Sequence, residues 1–122
     1  VTETVFESQP GSPLFVTEKT YMPFVNYHPF IITSGTGCLQ YLKDQGYETF
    51  PEIFDESYDN INDRAERLKS IMNNIERICK MDITELHNLY WSVWDKLEHN
   101  RNHFFKRSHT NRWSKLLEFL SR

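Results

Sequence analysis

A chain of 122 residues has room for one compact domain with one core, and 39% hydrophobic with 15% aromatic residues exclude global disorder. A net charge of -3, from 14 bases and 17 acids, supplies no overall field for nucleic acid or an anionic membrane, so any polyanion site has to be local. Cys38 and Cys79 form no C-x-x-C pattern, no run approaches the roughly 18 apolar residues of a membrane span, and the first ten residues lack a signal core; a cytoplasmic setting is expected.

In chain order, "VTETVF" alternates β-branched and polar residues and predicts a strand, "ESQPGSP" is a cluster of turn formers, and "LFVT" predicts a second short strand. Because the first residue already lies inside a predicted strand, the chain is expected to be part of a larger protein. Thr17 is placed to cap a helix whose first turn holds Glu18, and Pro23 then requires that helix to be short, bent or late in starting. "HPFIIT" is a continuous apolar run, the pattern of a central strand covered on both faces in a parallel sheet. "GCLQYLKDQG" predicts a helix with Leu39 and Leu42 on one face and Gly46 at its end, and "YETF" one more short strand.

Residues 1–55 therefore alternate strand and helix, which is the order of an open α/β sheet. Residues 60–122 read as helical. Leu68, Ile71, Met72, Ile75, Ile78 and Cys79 follow helical spacing, and "DITE" at 82–85 is a capping box opening a helix with Leu86, Tyr90, Val93, Trp94 and Leu97 inward. Trp113, Leu116, Leu117 and Leu120 form a last amphipathic stretch. The expected fold is a single α/β domain over 1–122, Rossmann-like, with a small parallel sheet and a helical carboxyl-terminal half.

At the carboxyl edge of such a sheet, Glu18 could accept hydrogen bonds from a ribose diol while Lys19 and free helix amides neutralise a diphosphate. The plain alternative is an ordinary capped and charged helix start. "SGTG" at 34–37 offers unencumbered amides at Gly35 and Gly37 that could cradle a phosphate, or simply make a tight turn; Gln40 stands where the dinucleotide fingerprint needs its third glycine. His99 and His103 are four residues apart and share a helix face, but no third ligand is evident and no metal site is expected. Asp55, Glu56, Asp59 and Asp63 lack the spacing and glycine of a calcium loop and suit helix capping. "HNRNHFFKRSHTNR" mixes bases with aromatics and could touch RNA or an acidic partner, but it is short and balanced by acids elsewhere, and nucleic acid is not expected as a partner.

Taken in order, "FVTEKTYMPFVNYHPFIITSGTGCLQYLKDQGYETF", "DESYDNINDRAERLKSI" and "HNRNHF" resemble the carboxyl-terminal part of phage and cyanobacterial glycosyltransferase-like proteins, over roughly residues 1–105. The "V-T-E-K" element is also similar to one in fucosyltransferases of the two-lobed GT-B fold, with Phe15 standing where that pattern has tyrosine. The resemblance implies a nucleotide-sugar donor-binding lobe: Glu18 on the ribose, Lys19 on the diphosphate, with Thr17, Gly35 and Gly37 beside them. It implies no cofactor beyond that nucleotide sugar, which is a substrate. The catalytic base would come from an amino-terminal acceptor lobe, so the lobe alone would bind donor without transferring sugar, and its uncovered face would meet that lobe or a second copy. The alternative is a noncatalytic interaction or assembly module of viral origin.

Overall fold

The computed structural model describes residues 1–3, 14 and 16–121, the side chains of 109–117 excepted. The element order is α1 (Glu18–Val25), α2 (Cys38–Asp44), a 3-10 helix (Glu56–Asn60), α3 (Arg64–Cys79), α4 (Ile83–Ser92) and α5 (Trp94–Leu120). Local chemistry explains the starts. Thr17 caps α1, Asp55 the 3-10 helix, Asp63 α3 and Asp82 α4, each side chain accepting a backbone N–H of the first turn. Asp82 and Glu85 complete the capping box expected there. Pro23 lies inside α1, which ends at Val25 after 8 residues, the short form that its proline demands.

The α/β expectation is overturned: among the described residues there is no strand and no sheet, and the chain is helical. The central strand expected over "HPFIIT" is an extended segment with one isolated parallel bridge, Thr2 to Thr33, carried by Glu3 N–H to Thr33 O (3.0 Å) and Thr33 N–H to Val1 O (2.7 Å). "YETF" is likewise extended without a neighbouring strand. Residues 4–6 and Phe15, which complete the first two expected strands, lie outside the described residues, as does "ESQPGSP".

Side chains take the place of the missing ladders. Asn100 of α5 accepts from Glu48 N–H (2.8 Å) and donates to Glu48 O (2.9 Å), as a neighbouring strand would. Glu56 accepts from Phe50 N–H (3.0 Å), Lys96 donates to Thr49 O (3.0 Å), and the Tyr58 hydroxyl accepts from Ile32 N–H (3.2 Å). A buried extended backbone needs partners, but nothing requires them to be backbone. With those groups satisfied, Phe30, Ile32, Tyr47 and Phe50 are free to be covered by helices instead of a sheet.

The core forms where these segments meet α1, α2 and the first half of α5. Phe24 stacks on Tyr47 (centroids 4.1 Å) and meets Phe30 edge-on, which in turn meets Phe50. Leu39 and Leu42 of α2 are buried as their spacing foretold. The helix expected to run from 82 through 97 instead breaks at Val93: Val93 and Leu97 enter the core, whereas α4 has no buried residue.

Candidate functional site

Thr17, Glu18 and Lys19 do lie at a helix start, though not at a sheet edge. Thr17 N–H (3.1 Å) and Oγ1 (2.8 Å) donate to the carboxylate of Glu3, to which the Thr20 hydroxyl also donates. Glu3 is buried, and the threonines at 17 and 20 are the signal that an acid is held here. Glu18 and Lys19 are exposed beside this network.

The small-residue loop carries its own anion. Gly37, at φ 84, donates its N–H to Asp59 O (2.9 Å), and the Asp59 carboxylate accepts from Leu39 N–H (2.9 Å) and Gln40 N–H (3.1 Å). The Gly37 amide, one of the two expected to cradle a phosphate, and the first amides of α2 are thus satisfied by a buried aspartate. Gly35 is buried in the same loop. Cys38, packed at the start of α2, has its thiol pushed up to about 12 by burial.

His99 and His103 stack with centroids 5.7 Å apart and close the opposite end of α2. Nε2 of His99 lies 2.8 Å from Gly46 O and Nε2 of His103 lies 2.6 Å from Gln45 O, so each ring must donate to a terminal carbonyl. Gly46 takes φ 93, and a Cβ there would stand 2.9 Å from the His103 ring; glycine is required twice over.

Unfilled surface lies elsewhere, where no motif was recognised. A hollow of about 390 Å³ is lined by Ile53 and Phe54, Ile78 of α3, and Ile83, Leu86 and Tyr90 of α4, with Pro29 and His87 at its margin. A second, of about 380 Å³, runs from the same Pro29 and Phe54 past Ile31 and Val1 to Ile75 of α3. The two adjoin at Pro29 and Phe54, the first mainly apolar and the second edged by Thr2, His28 and Thr33, and together they form a trough.

The inward face of α3 explains why it stays open. That face carries Arg67, Ile71 and Asn74, buried, with Ile78 partly covered. Arg67 donates to Ile61 O (3.0 Å) and Thr36 Oγ1 (3.1 Å), and Asn74 donates to Asp55 O (2.8 Å) while accepting Asp55 N–H (2.8 Å). The stripe one residue further on, Leu68, Met72, Ile75 and Cys79, is exposed. Helical spacing announced both stripes but not that the more polar one packs inward. The usable signal was surplus: α3 and α4 together carry more apolar positions than two packed faces need.

A third hollow, about 290 Å³, sits between α1, α2 and α5 and is lined by Tyr21, Tyr41, Tyr47, Phe104 and Arg107. Burial pushes the Tyr21 hydroxyl up to about 12, helped by Tyr41 and Tyr47. No group of three or more metal-ligating side chains occurs among the described residues, and no described helix is long and apolar enough to cross a membrane. Compared with known proteins, the chain matches no family model, no curated sequence and no solved structure.

Proposed function

We propose that the chain is a noncatalytic interaction module whose trough receives a basic amphipathic helix. The observation that carries this reading is the largely apolar trough together with the acids that neighbour its lining residues in the chain. Its lining residues are neighbours in the chain of exposed acids: Ile53 of Glu52, Phe54 of Asp55, Ile75 of Glu76, Ile83 of Asp82 and Leu86 of Glu85. Three bases are engaged here, Arg77 with Ile53 O and Asn74, Lys80 with Glu76 (3.2 Å) and Lys96 with Glu52 (2.6 Å), while Asp55, Asp82 and Glu85 accept backbone N–H groups. An apolar floor between acids selects an apolar stripe flanked by bases, and helix-in-groove binding reads anchors at i, i+3, i+4 and i+7.

Titration with a designed helical peptide, leucines at those spacings and lysines elsewhere, tests the reading. Trp91, exposed on α4, reports binding by fluorescence. Binding that is lost in Ile83→Asp and in a glutamate-flanked peptide is expected; equal affinity for both peptides, or none for either, overturns it.

A second reading keeps the nucleotide-sugar expectation. It is favoured by the tyrosine hollow, which begins two residues along α1 from Lys19 and offers ring faces for a base and Arg107 for phosphate. Calorimetry with ribo- and deoxyribonucleoside diphosphates tests it: binding should weaken in Lys19→Ala, and in Glu18→Gln for ribose ligands alone. Identical titrations for wild type and Lys19→Ala remove the motif from the site.

A further inference from the structure

Charge is divided unevenly along this chain. Residues 48–98, which supply most of the trough and its rim, hold 12 acids and 6 bases, whereas residues 99–122, nearly the whole of α5, hold 6 bases and 1 acid. The same stretch ends in an amphipathic pattern. Trp113, Leu116, Leu117 and Leu120 recur at i, i+3, i+4 and i+7 within α5, with Arg112 just before them and Lys115 and Glu118 between. Phe119 and Leu120 are 70% and 69% exposed, far beyond what a helix end packed on its own core would show. The chain thus contains the kind of helix that its trough selects.

Its own trough is out of reach. α4 lines the trough and ends at Ser92, and α5 starts at Trp94 and continues unbroken through 27 residues. At about 1.5 Å per residue, Leu116 stands about 33 Å along the axis from Trp94 and Leu120 about 39 Å. α5 travels away from α4, passing Gly46 at His99 and Gln45 at Arg107. An uninterrupted helix cannot turn back over that distance.

Resting on the interaction-module reading, we infer that the occupant of the trough is the carboxyl-terminal end of α5 from a second copy of this chain. The contact joins two different surfaces, tail and trough. It closes as a two-fold dimer when each tail enters the other copy's trough, and propagates as a chain of copies when it does not. Acids on one side and bases on the other make the attraction weaken with salt, opposite to the response of a purely apolar contact.

The experiment is sedimentation velocity on the full chain and two variants, Ile83→Asp in the trough and Leu120→Asp in the tail. Both side chains are exposed, at 80% and 69%, so the fold survives either change, and far-UV circular dichroism verifies it. Wild type should sediment as a dimer or larger species, shifting toward monomer by several-fold in the association constant between 0.05 and 0.5 M sodium chloride. Each variant alone should be monomeric. Mixed one to one, they should re-form a heterodimer, because the trough variant still has its tail and the tail variant its trough. A monomeric wild type at 100 µM, variants that associate like wild type, or a mixture that stays monomeric overturns the inference. Titrating the designed peptides into Leu120→Asp, whose trough no tail occupies, separates the two readings: a monomeric wild type together with a variant that takes the basic peptide loses this inference and keeps the module, whereas a variant that takes neither peptide loses both.

Discussion

Around α2 the protein buries aromatic rings and carboxylates side by side, whereas α3 and α4 present a row of aliphatic side chains to water. The first region holds Phe24, Phe50 and Leu42, each no more than 1% exposed, together with Glu3, Asp59 and Asn100, and every one of these polar groups has hydrogen-bond partners. In the second, Met72 is 53% exposed and Ile83 80%. Burial around α2 is limited by what the polar groups can find as partners, and the apolar stripe of α3 and α4 meets no such limit because it is not buried.

The largest effect that sharpens this contrast is a truncation at the aromatic centre. Phe50 is fully buried edge-on to Phe30, so Phe50→Ala should cost about 3–5 kcal/mol in urea unfolding. A cost under about 1 kcal/mol would mean that the extended segments collapse readily and are not held by their side-chain partners.

Next comes Asn100→Ala, which strips two hydrogen bonds from the Glu48 backbone without a comparable loss of apolar area. Glu48 is exposed, so water takes over part of the loss and a total of about 1–3 kcal/mol is expected. Asn100→Asp keeps the acceptor for Glu48 N–H but sets a carboxylate against Glu48 O in a site 1% exposed, and it should cost at least as much.

Gly46→Ala comes third. The residue holds φ 93 and leaves no room for a Cβ beside His103, so a loss of about 1–3 kcal/mol is expected. The double variant with His103→Ala should recover the steric part and keep the conformational part. A fully additive pair would show that the ring moves aside freely.

Alkaline pH probes the same region through its buried protons. Cys38 goes from an ordinary 9.0 to about 12 and Tyr21 from 10.0 to about 12, while burial also raises Tyr58. Between pH 9 and 12 the unfolded chain gives up protons that the native chain retains, so stability present below pH 9 is lost as pH rises through that window. Urea midpoints should be level from pH 7 to 9 and fall above it, with a shallower fall near pH 9–10 in Cys38→Ala. Over the same range Cys79, which is exposed, should react with thiol reagents in the native state and Cys38 should not.

What the sequence disclosed follows the same division. Helix starts were legible because their chemistry is local: Thr17, Asp63 and the Asp82–Glu85 box declare themselves within four residues. The sheet was a misreading because an apolar run records that a segment is buried, not by what. Glu48 finds its partner 52 residues away at Asn100, and Ile32 finds Tyr58 26 residues away, separations at which a single sequence carries no pairing signal. The loop at Gly37 read as either a cradle or a tight turn for a similar reason, since Asp59 reaches it from 20 residues downstream of Leu39. The trough was invisible because periodicity does not say which of two adjacent stripes on α3 faces inward.

The smallest expected effect is the sharpest test of the comparison, because it sits on the same helix as a large one. Ile71 and Met72 are consecutive, the first 1% and the second 53% exposed. Ile71→Ala removes buried methylenes and should cost about 2–4 kcal/mol, whereas Met72→Ser takes an apolar group out of water contact and should change folding by no more than about 0.5 kcal/mol. Neither side chain lines the trough, so both variants should bind the designed peptide as wild type does. Should Met72→Ser instead lose more than about 1 kcal/mol, with a midpoint that depends on protein concentration, then the outer stripe of α3 is buried between copies, and the recognition surface extends from the trough across Leu68 and Met72.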